Sequence, residues 1–254
     1  MATLSISVII VAMNEAHDIG DCIRSVRDWC QEVIVFDSGS QDGTQDLCRE
    51  LGATVYETDW PGDGPQKNRA LAKATGDWVI CLDADEQISP ALREEILRTL
   101  PDTRCAAFST PRLSSFCGQE MRHSGWWPDR IVRVFRREGA RFTDLRTHTR
   151  VVVDGITGSM QAPILHRAIV EISESLDKLN VYSSEGANAR FAKGRRASLG
   201  SALLHGGWAF VRTYILKLGI LDGRLGFVLA VLVAQESYYR HLKLWLKGRD
   251  AAGR

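Results

Sequence analysis

The first hundred residues alternate short apolar runs with amphipathic segments, and that alternation restricts the chain to an α/β fold built on a mostly parallel sheet. Ser5–Ala12 is an unbroken, β-branched run of the kind that fills a strand covered on both faces. Ile19, Cys22, Ile23 and Val26 then recur at helical spacing among Asp and Arg. Val33–Phe36 predicts a second buried strand, followed by a helix that reaches Leu51 and stops at Gly52, and Ala53–Tyr56 predicts a third. A helix is expected from Gln66 to Thr75, then a fourth strand over Asp77–Leu82. Ser89-Pro90 opens another helix, with Ser as N-cap and Pro in the first turn. Strand–helix units joined by short connections imply parallel neighbours with helices on both faces.

With 254 residues the chain can form one large α/β domain, or a catalytic domain with an appendage. A net charge of +1 points to neither nucleic acid nor an acidic partner. The distribution says more: acids concentrate in the first hundred residues, whereas Arg130, Arg133, Arg136, Arg137, Arg141, Arg146 and Arg150 crowd a short interval suited to an anionic ligand. The cysteines at 22, 30, 48, 81, 105 and 117 form no C-x-x-C pair and read as buried, reduced thiols. The opening MATLSISVIIVAMNE lacks a basic n-region and a cleavage site, so it reads as a first strand, and the expected compartment is the cytosol.

The sharpest chemical signal is Asp83-Ala84-Asp85, directly after the fourth strand. In an extended chain residues two apart project to one side, which aims both carboxylates from the edge where open α/β sheets bind ligands. Hard oxygen donors suit Mg²⁺ or Mn²⁺, which in turn can hold a diphosphate. An isolated D-x-D is more often a solvated acidic turn, but here it has company. Asp37 follows the second strand in the same way, where it either accepts hydrogen bonds from a base or ribose or closes an Asx-type turn. Asn14-Glu15 follows the first strand, with helix capping as the bland alternative. No G-x-G-x-x-G and no Walker-type loop is present, which argues against a dinucleotide-dependent dehydrogenase and a P-loop enzyme.

The order SVIIVAMNEAHDI, VIVFDSGSQDGT and DWPGDGPQKNRALAKATGDWVICLDADE resembles the core of glycosyltransferase family 2. More narrowly it resembles the bacterial lipopolysaccharide core β-1,4-glucosyltransferases, a likeness that continues through HSGWWPDRIVRVFRR and WAFVRTYILKLGILDGRLG. The resemblance implies a GT-A fold with a C-terminal helical appendage, a UDP-hexose donor, a divalent Mg²⁺ or Mn²⁺, and single-displacement, inverting chemistry. It implies that Asp37 contacts the uracil or ribose, that Lys67 and Asn68 lie beside the donor, and that Asp83 and Asp85 serve the ribose, the metal and the diphosphate. Ala12, Asn14 and Glu15 complete the expected donor site. The general base is left open between Asp129, Asp144 and His148, because this chain has Thr149 where relatives usually carry Glu.

These readings divide the chain into a catalytic domain over 1–170, with a nucleotide-sugar half (1–100) and an acceptor half (101–170), and a helical region over 171–254. The apolar run Leu225–Ala234 falls well short of the ~20 residues needed to span a bilayer, while basic and aromatic residues frame the apolar stretches from Leu203 to Leu246. The expected partners are therefore a UDP-hexose, a lipid-linked glycan and a membrane surface, from the cytoplasmic side. The alternatives are a polyprenyl-phosphate glycosyltransferase, a nucleotidyltransferase, and a non-catalytic sugar-nucleotide or membrane-binding protein.

Overall fold

The computed structural model of the protein describes residues 4–145 and 149–251. They form two compact units, one from the residues up to Leu113 with Asp129–Arg167, the other from Ser114–Pro128 with Ala168 onward.

The first unit begins with the predicted alternation: β1 (Ile6–Ala12), α1 (Ile19–Arg24), β2 (Glu32–Asp37), α2 (Thr44–Glu50), β3 (Thr54–Glu57), α3 (Asp63–Leu71), β4 (Trp78–Asp83), β5 (Glu86–Ile88) and α4 (Pro90–Thr99). Along the chain, longer and shorter strands follow: β6 (Ala107–Phe116), β7 (Gln119–Glu120), β8 (Asp129–Arg136), β9 (Arg141–Phe142), β10 (Val151–Val152), β11 (Thr157–Ser159) and β12 (Ile164–Ile169), of which β7 belongs to the second unit and β6 and β12 have their last residues there. The sheet order is β3-β2-β1-β4-β8-β6-β12-β5. The four leading strands are parallel, and β8 then joins β4 antiparallel. Both faces are covered, as the unbroken apolar strands require. Val8, Ile10 and Ala12 of β1 enter a core with α1 and α4, while Ile9 enters a second with Ala70, Leu71 and Phe135.

Most predicted helix signals act as read. The Ser89 hydroxyl accepts from the Leu92 N–H at 3.2 Å with Pro90 behind it, and Gly52 follows α2 at φ +84°. Two local readings change. Helix α3 starts at Asp63, before the expected Gln66, because Gly62 turns the chain at φ +120° and Pro65 sits in the first turn, where its missing N–H has no cost. The extended course does not continue through Asp85: β4 ends at Asp83, and Ala84-Asp85 turn the chain into the unforeseen β5.

All six cysteines are free thiols, as read from the sequence, but only Cys22, Cys48 and Cys81 are buried, whereas Cys30, Cys105 and Cys117 are partly exposed; desolvation pushes Cys30 and Cys48 up to about 12.

The second unit is built on α5 (Ile172–Ala192), α6 (Leu199–Val211) and α7 (Gly223–Ala251), with a π-helical turn (Arg212–Leu216) and a 3-10 turn (Gly219–Asp222) between the last two. Asp222, buried, organises this corner. Its carboxylate accepts from the backbone N–H groups of Arg122 and His123, from His123 Nδ1 at 3.0 Å, and from the Ser124 hydroxyl at 2.8 Å. Gly226 permits the turn, since a Cβ there would lie 2.0 Å from the Gly219 carbonyl oxygen. Among the described residues no helix is long and apolar enough to cross a membrane.

Candidate active site

Register brings the polar strand ends level. Ala12 pairs with Asp37 and Val11 with Asp83, so β1, β2 and β4 finish side by side at one sheet edge. In open α/β sheets ligands lie beyond this carboxyl edge.

At β2, Asp37 is wholly buried and closes the turn that follows it. Its Oδ1 accepts from Gly39 N (3.0 Å), Ser40 N (2.9 Å) and Gln45 Nε2 (2.6 Å), and its Oδ2 from the Ser40 hydroxyl. These bonds close the Asx-type turn that was one of the two readings of Asp37. The same turn grips the β1 edge: Asn14, at φ +58°, donates its N–H to Ser40 Oγ and accepts at Oδ1 from Gln41 N, both at 2.8 Å. The Glu15 N–H donates to Thr44 Oγ1 at 2.9 Å, and its carbonyl receives Asp18 N and Ile19 N at the head of α1. Ala12, also buried, accepts from Ser38 N at 2.9 Å. Asp37, Asn14 and Ala12 are thus joined through one hydrogen-bonded turn.

At β4 the two carboxylates of the D-x-D part company. Asp83 is clamped between cations: Lys67 Nζ lies 3.0 Å from Oδ1, and the Arg133 guanidinium donates to Oδ2. Burial alone would raise the Asp83 carboxyl, but Arg133 and Lys67 outweigh it and hold it well below the usual carboxylate range. Burial likewise opposes the charge on Lys67, yet Asp83 and Asp63, the latter at 3.1 Å, keep its ammonium firmly protonated. Arg133 also donates to the wholly buried Glu86 at 2.7 Å, and Glu86 accepts the Asp83 N–H at 3.1 Å. Burial pushes Glu86 above its ordinary value against the pull of Arg133. Arg112 extends the chain of charges, 3.4 Å from Glu86 and donating through Nε to Asp129 at 3.0 Å. Lys67, Asp83 and Asp129, separate in sequence, therefore belong to one relay through Arg133, Glu86 and Arg112.

Asp85 stands outside that relay. Its Oδ2 lies 3.2 Å from His166 Nε2, and since its side chain is no more exposed than that of Asp83, the two carboxylates differ in their partners and not in access. A carboxylate and an imidazole are compatible donors for a divalent ion whose remaining positions a diphosphate and water can fill. Among the described residues no group of three or more His, Cys, Asp or Glu is placed to hold a metal without such help.

Asn68 holds the β9 segment: it donates to the Phe142 carbonyl at 3.0 Å, accepts the Phe142 N–H at 2.8 Å, and reaches Asp144 at 3.5 Å. It anchors the segment carrying Asp144 to α3, helped by Gly64, whose N–H meets the Leu145 carbonyl at 3.0 Å. His148 lies outside the described residues.

Glu86, Arg112 and His166 were not singled out in the sequence, and Arg133 only as one arginine among seven. Arg133 has a local cause. The β6–β8 register shifts between Phe108 and Ser109, so Val134 and Val132 find partners while Arg133 is the extra, bulged residue. A bulge re-aims one side chain without breaking the strand, and single-sequence alternation does not reveal it.

A parallel sheet edge bearing a hydrogen-bonded turn, an ion-pair relay and a carboxylate–imidazole pair is the arrangement at which open α/β sheets take ligands, beyond the strand ends. The chain belongs to glycosyl transferase family 2, whose profile matches residues 7–158. It is 29% identical over 255 residues to the lipopolysaccharide core biosynthesis glycosyltransferase LpsC of Rhizobium meliloti, covering 94% of this chain and 93% of that one. It is 28% identical over 251 residues to an uncharacterised glycosyltransferase of Rickettsia prowazekii, covering 94% and 86%. Among solved structures, glucosyl-3-phosphoglycerate synthase from Mycobacterium tuberculosis, bound to Mn²⁺, UDP and glucosyl-3-phosphoglycerate, is 27% identical over 45% of each chain, with a TM-score of 0.39.

Proposed function

We propose that this glycosyltransferase moves a hexose, glucose from UDP-glucose, with inversion onto a sugar hydroxyl of a lipid-linked glycan such as lipopolysaccharide core. It works on the cytoplasmic face of the membrane as a peripheral protein. Residues 1–170 act as the catalytic domain, with the donor held by 1–100, and 171–254 as the membrane-associating region. The observation that carries the donor half is the separation of Asp85 from Asp83. One carboxylate is held by two cations, Lys67 and Arg133, and the other pairs with the imidazole of His166. The acceptor half is supported by the lipopolysaccharide-core role in the name of LpsC.

In this reading Asp85, with His166, holds Mg²⁺ or Mn²⁺ against the donor diphosphate, and the ion supplies Lewis-acid stabilisation of the departing diphosphate. Asp83 presents to the ribose an orientation fixed by its two cations. The cradle of Ala12, Asn14, Glu15 and Asp37 shapes the nucleoside end, with Asp37 acting through the turn it closes. Lys67 adds positive charge beside the phosphates, and Asn68 fixes the segment carrying Asp144. The base that takes the acceptor proton is drawn from Asp129, Asp144 and His148. Its removal lowers the rate about 10²–10⁴-fold without loss of donor binding.

Calorimetric titration of a panel of sugar nucleotides with Mn²⁺, Mg²⁺ or EDTA, beside an assay for released UDP, tests this. Metal-dependent binding of UDP-glucose, lost in Asp85→Ala, is expected. Absence of binding by any nucleotide sugar to folded protein sinks the proposal.

A further inference from the structure

Helix α6 is packed inside out. The residues it turns inward are small: Ala202, Gly206, Ala209 and, one turn on, Thr213. At Gly206 the approach to α7 is so close that a Cβ would lie 3.0 Å from the Tyr238 Cβ. The residues it turns to solvent are large and apolar: Leu203, Leu204, Trp208 and Ile215 recur at helical spacing, and Leu204 is 76% exposed. Leu218 and Leu221 continue this face into the turns, Leu221 at 63% exposure. A single exposed leucine needs no explanation, but a contiguous helix face of them does. Small residues at the helix contact and large apolar ones outward is the arrangement expected where lipid replaces water.

The charges choose between lipid and a second copy of the chain. Arg212, Lys217 and Arg224 are exposed on the same stretch. The one acid between Leu199 and Phe227 is Asp222, buried and spent on His123 and Ser124. Two such faces brought together would juxtapose their cations, whereas an anionic headgroup layer neutralises them while accepting the leucines. Aromatics complete the pattern: Phe227 meets Phe210 and Tyr214 edge-on at 5.7 and 5.6 Å.

We infer that the face formed by α6, the two turns after it and the start of α7 docks on anionic phospholipid, its leucines and Trp208 entering the acyl boundary and its three cations lying among the headgroups. This rests on the membrane-associated reading above and names the surface and the lipid chemistry.

Co-sedimentation of the full chain with vesicles of phosphatidylglycerol and phosphatidylcholine, or of phosphatidylcholine alone, tests it, with calorimetric UDP-glucose binding without vesicles as an independent readout. The wild type is expected to pellet with the anionic vesicles and to be released by salt. The Leu204→Glu/Leu221→Glu variant, altered only at exposed side chains, should lose about tenfold or more in partitioning with helix content and donor binding unchanged. Arg212→Gln and Lys217→Gln should each lose about fivefold. Equal binding by the leucine variant overturns the inference, as does failure of the wild type to bind. A dimer that forms without lipid and dissociates in Leu204→Glu reassigns the face to a second copy and overturns it too. Loss of donor binding with vesicle binding intact sinks the transferase proposal alone, and the reverse sinks the docking surface alone.

Discussion

In the unit built on the parallel sheet, charge lies inside: Glu86 is wholly buried, and Arg133 and Lys67 nearly so. In the helical unit large apolar side chains lie outside, Leu204 and Leu221 foremost. Each departs from the ordinary sorting of polar and apolar groups, and each departure costs stability unless something compensates. For the buried charges the compensation is internal, because every carboxylate of the relay has a cation against it and Arg133 serves two. For the exposed leucines no compensation lies within α6, so it must come from outside. The contrast separates buried charges that the fold itself compensates from an apolar face that it does not.

The contrast can be tested from both sides. The largest effect is expected at Asp85, which stands outside the relay. Asp85→Ala should lower transfer about 10²–10³-fold or more, with the urea unfolding midpoint unchanged. Next comes the relay's centre. Arg133→Met strands Glu86 and Asp83 beside a lost partner and should cost about 3–5 kcal/mol in urea denaturation, and adding Glu86→Gln should recover part of it. In the helical unit, Asp222→Ala leaves the N–H groups of Arg122 and His123 and the Ser124 hydroxyl without their acceptor. It should cost about 2–3 kcal/mol, read as a lower thermal midpoint.

The smallest effect concerns Glu32, which joins β2 to the turn before β4. Burial raises its carboxyl, but hydrogen bonds from Ser7 and from the Thr75 N–H and hydroxyl outweigh burial and lower it. A carboxyl lowered in the folded state contributes stability that is full above its unfolded value and lost as pH falls through the folded one. Glu32→Gln should therefore lose about 0.5–1 kcal/mol at pH 7, a difference that disappears in strong acid, when thermal midpoints are compared across pH.

Much of this was legible in the sequence because its signals are local. Unbroken apolar runs place β1, β2 and β4, Ser89-Pro90 starts α4, and the polar residues after each strand fall at one edge once the strands are parallel. Lys67 and Asp83 were singled out separately, and the structure bonds them. What stayed hidden depends on tertiary register. Arg133 is aimed by a bulge that no period predicts, and His166 reaches Asp85 only because β12 pairs with β5, a strand that the sequence did not announce. The divergence of Asp83 and Asp85 follows from the same cause, since a two-residue spacing implies a shared face only while the chain remains extended. In the helical unit composition identified an apolar, basic region, but which residues turn outward on α6 is settled by the small ones that pack against α7.

The proposed metal site is Asp85 and not the cation-clamped Asp83. Manganese paramagnetic resonance with UDP present, on the wild type, Asp85→Asn and Asp83→Asn, tests it most directly. A protein-bound Mn²⁺ signal that Asp85→Asn abolishes and Asp83→Asn retains is expected, with Asp83→Asn showing its effect in unfolding stability. A bound signal that survives in Asp85→Asn and disappears in Asp83→Asn would contradict it.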